Sequence, residues 1–398
     1  YAATTPLEPY VFAQMKPYFL KDFGNAFSLH SFGRAAQLGI EKARKITADF
    51  LNCQPEEIIF TSGATEANNA VIKNFGSVFF REKIGALPHI IVSQIEHECV
   101  LAAAQALERE KKAQVTYLPV NREGLVELMS LEKALKPETV LVSLMYANNE
   151  IGTIQPIVAL GEFLKKINQT RQNKIYFHTD AVQAVNYLEC DVKKLGVDYL
   201  TLSAHKFYGP KGVGALFIKS GAPFNRFLDG GEQEFKKRAG THNCPGIVGL
   251  GAALEIVKKE KAKIKKVEIL RDKLIKGVLK NIPYTFLNGS QKQRLPNNAN
   301  FCFEGAEGEA LVMALDLAGV AISTGSACAS HSLEPSHVLL AIGLEPLQAH
   351  SSVRFSLGRF TTEKDIDRVL KLLPPIVANL RNISGRLILK DEKRAKKF

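Results

Sequence analysis

Lys206, in SAHKFYGPKG, and Asp180, in KIYFHTDAVQ, are the residues whose types and placing first suggest chemistry. Each closes an apolar run that reads as a strand: VDYLTLSAHK ends at Lys206, and KIYFHTD ends at Asp180. A lysine at a strand end can reach into a cleft. Taken singly, Lys206 reads as a solvated ammonium, which is where most lysines sit, and Asp180 as a helix cap. Taken as a pair they match what pyridoxal phosphate (PLP) needs, with Asp180 keeping the pyridine nitrogen protonated and Lys206 forming an imine with the ring aldehyde. Gln183 falls one helical turn beyond Asp180, and His178 two residues before it.

Such a cofactor also needs a cradle for its phosphate. The stretch IIFTSGATEANNAV reads strand, turn, helix, and it sets Gly63, Ala64 and Thr65 where free helix N-terminal amides attract an anion. Ser203 and His205, beside the lysine, add a hydroxyl and an imidazole. His97 follows the run HIIVSQIEH and reads either as a cap or core histidine or as a functional one. Arg354 stands in the apolar strand SVRFSLG, where a guanidinium wants a carboxylate or phosphate partner. Cys328 lies in STGSACAS, whose Ser, Gly and Ala have little to pack, so the composition predicts a mobile thiol suited to carrying a group. The bland alternative, a small buried cysteine, suits Cys53, Cys99, Cys190 and Cys302 better. Cys244, in THNCPG, is the other loop candidate.

The elements that must position these residues follow a βαβ rhythm from about residue 56 to 219. EEIIFTS, HIIVSQ, QVTYLPV, TVLVSLMYANN, KIYFHTDAVQ, VDYLTLSAHK and GALFIK read as strands, alternating with helix-like stretches. Several are apolar on successive residues, as strands covered on both faces require, which predicts a mostly parallel sheet. After CPGIVG a long amphipathic helix is expected, with Val257, Ile264, Val267, Leu270, Leu274 and Val278 on one face. Strands at YTFLNG, NNANFCF and SVRFSLG, with helices near GEALVMALDLAG and EKDIDRVLKLL, suggest a smaller α+β unit. Residues 13–255 are therefore expected to form the large domain, and 1–12 with 256–398 the small one.

At 398 residues, 46% hydrophobic and 23% charged, the chain can bury a sizeable core, and no apolar window is long enough to span a bilayer as a helix. The net charge of +12 would serve an anionic substrate or partner. The lysine runs KKEKAKIKK and DEKRAKKF lack the interleaved aromatics of single-strand binding, so direct nucleic-acid contact is not expected. Six cysteines without a CxxC pair argue against zinc ribbons and a disulfide framework and point to a reducing compartment, hence the cytoplasm.

The motifs SGATEANN, EHECV, YANNEIG, HTDAVQ, SAHKFYGPKG, STGSACASHSLEPSHVL and HSSVRFSLGRFTTEKDID occur in an order and spacing that resemble the PLP-dependent cysteine desulfurases of the NifS/IscS type, from YAATTP to about residue 381. The resemblance implies an α/β, fold-type-I PLP enzyme and a homodimer. It implies that Lys206 bonds the cofactor, Asp180 its ring nitrogen and Gln183 its ring hydroxyl, with His97 stacked on the ring. Ala64, Thr65, Ser203 and His205 would hold the phosphate, with Thr241 reaching it from a second subunit. Asn149 and Arg354 would bind the carboxylate of L-cysteine, Asn149 also touching the cofactor, and Cys328 would carry the persulfide to a NifU/IscU-type scaffold for iron–sulfur assembly, or to tRNA thiolation. No intrinsic metal is implied, although Cys328 could ligate a transient cluster together with the scaffold. The tail ISGRLILKDEKRAKKF does not match the one with which some relatives grip their scaffold. An aminotransferase or selenocysteine lyase of the same fold, and a basic scaffold or nucleic-acid protein, are the rival readings.

Overall fold

The computed structural model describes residues 1–77, 80, 82, 84–325 and 334–384. Its larger sheet has seven strands: β1 (Ile58–Thr61), β2 (His89–Ser93), β3 (Gln114–Leu118), β4 (Thr139–Ser143), β5 (Tyr176–Asp180), β6 (Tyr199–Ser203) and β7 (Gly214–Ile218). They are ordered β1-β7-β6-β5-β4-β2-β3. The pairings from β6 through β3 are parallel, whereas β7 runs antiparallel to both β6 and β1. Two reversals cancel, so β1 leaves the sheet at the same edge as β2, β4, β5 and β6. That edge, the carboxyl end of the parallel strands, is where open α/β sheets bind ligands.

Consecutive residues of the inner strands enter different cores, as a sheet covered on both faces demands. Phe177, Leu200 and Phe217 pack on one side with helices Ser31–Leu51, Ile157–Ile167 and Cys244–Lys259. Tyr176, Tyr199 and Leu216 pack on the other with helices Ala64–Asn74 and Glu98–Arg109. His178 is fully buried between Ser143 Oγ (2.8 Å) and Thr201 Oγ1 (3.1 Å), and burial depresses it to about 3. It is a neutral tie between strands.

The second sheet is antiparallel and ordered β10-β11-β9-β8, from β8 (Thr285–Leu287), β9 (Asn298–Phe303), β10 (Ser323–Thr324) and β11 (Ser352–Ser356). Helices Lys261–Asn281, Gly308–Leu317 and Glu363–Ser384 close a separate core over it, including Leu274, Phe301, Leu311, Val353 and Leu373. The expected single helix after CPGIVG is broken at Glu260 into Cys244–Lys259 and Lys261–Asn281. Val257 packs with the large core while Val267 to Val278 pack with the small one, so the break lets one apolar stripe serve two bodies. Among the described residues no helix is long and apolar enough to cross a membrane.

Candidate active site

Asp180 is the last residue of β5, where its carboxylate is buried. Oδ2 accepts from Asn68 Nδ2 at 2.6 Å and Oδ1 from the Val182 amide at 3.0 Å, so the group is oriented from two sides. Asn68 comes from the inner face of helix Ala64–Asn74, and its own Oδ1 is buried without a hydrogen-bond partner. The segment after Asp180 is turn rather than the expected helix. It still brings Gln183 to the site, where Nε2 donates to Ala2 O at 3.1 Å.

Lys206 was expected on a strand, but β6 ends at Ser203 and the lysine lies in a single 3-10 turn, Ala204–Lys206. The turn arises because Ala204 N pairs with Val213 O across the sheet while Phe207 N and Gly209 N fold back onto Ala204 O. Lys206 Nζ donates to Ala2 O (2.7 Å) and Ala3 O (2.8 Å), so Lys206 and Gln183 converge on one carbonyl. Residues 2–8 lie along this turn: Thr5 N and Oγ1 donate to His205 O, and Tyr208 N donates to Thr5 Oγ1. His205 Nδ1 is 3.1 Å from Thr4 Oγ1. Burial, helped by the ammonium groups of Lys206 and Lys211, lowers His205 to about 4 and leaves it neutral.

Between β1 and helix Ala64–Asn74 the chain turns at Gly63, with φ +153° and ψ −177°, a conformation open essentially to glycine. No side chain caps this helix, so its first amides, on Ala64 and Thr65, keep their donor capacity. A Cβ placed on Gly63 would meet only Ser203 Oγ, at 3.8 Å, whereas one on Gly214 would strike Gly63 Cα at 2.8 Å. The turn is therefore packed hard against β7 behind and open in front, towards the Ser203 hydroxyl.

His97 follows β2 and caps helix Glu98–Arg109, its Nδ1 accepting from the Cys99 amide at 3.2 Å with Cys99 Sγ at 3.1 Å. With Nδ1 an acceptor, the neutral ring carries its proton on Nε2. The preceding Glu96 is fully buried. It accepts from Ser93 Oγ (2.5 Å) and Met145 N (2.9 Å), yet burial, with the charge of Asp180 adding to it, pushes it up to about 8.

Arg354, 3% exposed on β11, donates from Nη1 to Asn149 O at 2.8 Å, which joins the small sheet to the loop after β4. Arg354 also pairs in register with Ser323 of β10, the strand leading into Cys328, which itself lies outside the described residues. Beyond that segment Ser336 Oγ donates to Glu150 Oε2 at 2.5 Å and His337 Nε2 to Glu96 O at 3.0 Å. Burial raises Glu150. Thr241 is exposed on the stretch before helix Cys244–Lys259 and lies outside this cluster of contacts. Cys244 is not a loop residue: it opens that helix buried, its Sγ donates to Ala36 O at 3.4 Å, and burial lifts the thiol to about 12.

The structure thus gathers Asp180, Gln183, Lys206, Ser203, His205, Ala64 and Thr65 along one sheet edge, with His97 and Asn149 on the loops beside it and Arg354 reaching the Asn149 loop from β11. A model of the aminotransferase class-V family matches residues 1–369. The chain belongs to this family. It is 49% identical over 385 residues to the cysteine desulfurase IscS of Dictyoglomus turgidum, covering 96% of this chain and 95% of that one. Among solved structures it resembles a NifS-like protein, at 37% identity and TM-score 0.87 over 95% of this chain and 98% of the other. It also resembles SspA in complex with cysteine, at 36% identity and TM-score 0.77 over 91% and 98%.

Pyridoxal 5′-phosphate is the cofactor of this family, and the fold is that of its type-I enzymes. The residues present fit the group: an open, uncapped turn of glycine geometry faces a serine hydroxyl, and a doubly oriented buried carboxylate lies on the same edge as a lysine ammonium. Sequence reasoning missed Asn68, Glu96, Glu150, Ser336 and the Ala2–Ala3 carbonyls. A signal existed for Asn68 alone, a polar residue on the buried stripe of helix Ala64–Asn74.

Proposed function

We propose that the protein is a PLP-dependent cysteine desulfurase that converts L-cysteine to L-alanine and leaves the sulfur as a persulfide on Cys328. The carrying observation is the convergence of Lys206 and Gln183 on the Ala2 carbonyl, at the sheet edge that also holds Asp180 and the Gly63 turn. Asp180 would hold the ring nitrogen, Ala64, Thr65, Ser203 and His205 would hold the phosphate, Gln183 would meet the ring hydroxyl, and His97 would lie against the ring. Arg354 and Asn149 take the substrate carboxylate. Bidentate guanidinium binding orients the amino acid with its Cα towards the lysine.

When bound, the cofactor supplies an electron sink for charge at the substrate Cα. Lys206 Nζ is the base that would remove the Cα proton. The Cys328 thiolate then attacks the substrate sulfur: a new S–S bond forms as the Cβ–S bond breaks, and its electron pair stays with the alanine fragment, which takes up a proton at Cβ and recovers the one lost from Cα. His97, with Nε2 as the proton-bearing atom, exchanges protons with the substrate along this path.

Residues 13–255 form the cofactor-binding body, and 1–12 with 256–398 the small domain that carries Cys328. Two copies form a dimer in which Thr241 of each reaches the other's phosphate. The persulfide serves a NifU/IscU-type scaffold in the cytoplasm. Incubating the PLP-loaded protein with L-cysteine and counting products tests the reading: alanine with enzyme-bound sulfur supports it, and a keto acid in equal yield replaces it with an aminotransferase.

A further inference from the structure

Three consecutive non-glycine residues, Glu234, Phe235 and Lys236, have φ of +49°, +56° and +64°. Left-handed backbone is disfavoured for any residue with a Cβ, and three in a row persist only where surrounding contacts over-determine them. Those contacts are here. The Glu234 carboxylate, 1% exposed, accepts from Arg44 Nη1 (3.0 Å) and Nη2 (2.7 Å), from Phe60 N (2.7 Å) and from His242 Nε2 (2.7 Å). Arg44 Nη1 donates in addition to Ile58 O at 2.6 Å. Because β1 is an edge strand, Glu234 and Arg44 satisfy backbone groups that no neighbouring strand takes.

Four residues on, Arg238 donates to Glu66, Nε to Oε1 at 2.9 Å and Nη2 to Oε2 at 3.2 Å, while Ser62 N donates to the same Oε2 at 2.9 Å. Phe60, Ser62 and Glu66 bracket the Gly63 turn. One short segment thus grips the phosphate turn through the strand that leads into it and the helix that leaves it. Three residues beyond Arg238 the chain presents Thr241, exposed, after Gly240 at φ +106°. A left-handed clasp at one end and an exposed threonine at the other make an arm whose base is its own subunit's cradle.

We propose that Glu234 and Arg238 are positioning residues for the cofactor phosphate of the neighbouring subunit, fixing through their own phosphate turn the arm that carries Thr241. This rests on the dimer reading above. The arm ties the two cradles mechanically, so a loosened clasp weakens PLP binding through Thr241.

The test is equilibrium dialysis of PLP against apo protein, with sedimentation to follow the dimer, for Thr241→Val, Arg238→Met, Glu234→Gln and the double variant Arg238→Met/Thr241→Val. The expected result is a several-fold rise in Kd for each single variant with the dimer intact, and a double variant no worse than Thr241→Val alone. Arg238 is half-buried, so its variant carries the test if Glu234→Gln fails to fold. Additive effects in the double variant would confine Arg238 to its own cradle and overturn the proposal, as would an unchanged Kd in Arg238→Met. A monomeric wild type would instead refute the dimer reading on which it stands, and the proposal with it.

Discussion

Replacing Gly63 by alanine tests the phosphate cradle with a single methyl group. At φ +153° and ψ −177°, an alanine carries a backbone strain of about 1–3 kcal/mol. The turn cannot relax towards β7, where Gly63 Cα already lies 2.8 Å from the place a Gly214 Cβ would take. It can relax only forwards, which turns its amides and narrows the space before Ser203. In the apo protein the variant adopts that relaxed turn, so the strain returns as a cost of binding. At 1.4 kcal/mol per decade, the whole strain appearing in binding raises the Kd for PLP by about 5- to 150-fold. The assay is equilibrium dialysis of apo protein, paired with thermal melting in the absence of PLP. A lowered melting temperature with unchanged Kd would mean that the fold bears the strain and that this turn does not hold the phosphate.

Lys206→Ala should abolish turnover and leave any PLP removable by dialysis; borohydride reduction of the wild type that labels a different lysine on peptide mapping would overturn the assignment. Arg354→Lys keeps a charge but loses the planar fork, so KM for cysteine should rise about tenfold or more with PLP binding retained, and an unchanged KM would give Arg354 to the fold. Glu96 is raised to about 8 in the folded protein, so it favours folding while protonated and ceases to as pH climbs from its unfolded value near 4.5 through 8. Wild-type stability should therefore fall over that window by up to about 1.4 kcal/mol per pH unit, and Glu96→Gln should flatten the slope; parallel melting profiles would show Glu96 ionised throughout. Cys328→Ala should still bind PLP and cysteine but gain no dithiothreitol-labile sulfur on the peptide spanning residue 328, and full desulfurase activity in that variant would remove the carrier role.

The parts of this fold legible in the sequence are those set by local pattern. Unbroken apolar runs marked the buried strands, and Asp180 was placed at its strand end because HTDAVQ changes character abruptly there. Lys206 was set on β6 because nothing in SAHK announces a stop; the turn is imposed by Val213 and Gly209, partners supplied by later chain. Cys244 misled for a related reason. THNCPG has loop composition, yet Asn243 and Pro245 are good helix-starting residues, and the thiol's burial depends on Ala36, more than two hundred positions away.

Residues that reasoning from sequence passed over share a chemistry: Asn68, Glu96, Glu150 and Ser336 are polar groups with hydrogen-bond partners on other elements of the fold. A buried carboxyl is costly unless hydrogen-bonded, and Glu96 and Glu150 are each met by a serine hydroxyl, one from its own turn and one from the far side of the 326–333 segment. Glu150 follows Asn149, Glu96 precedes His97, and His337 reaches the Glu96 carbonyl. Each proposed functional side chain on these loops thus has a buried polar neighbour that ties its loop to a different part of the chain. Spacing along the sequence carries no trace of such ties, because their partners are brought together only by the strand order and by the second sheet closing over the edge.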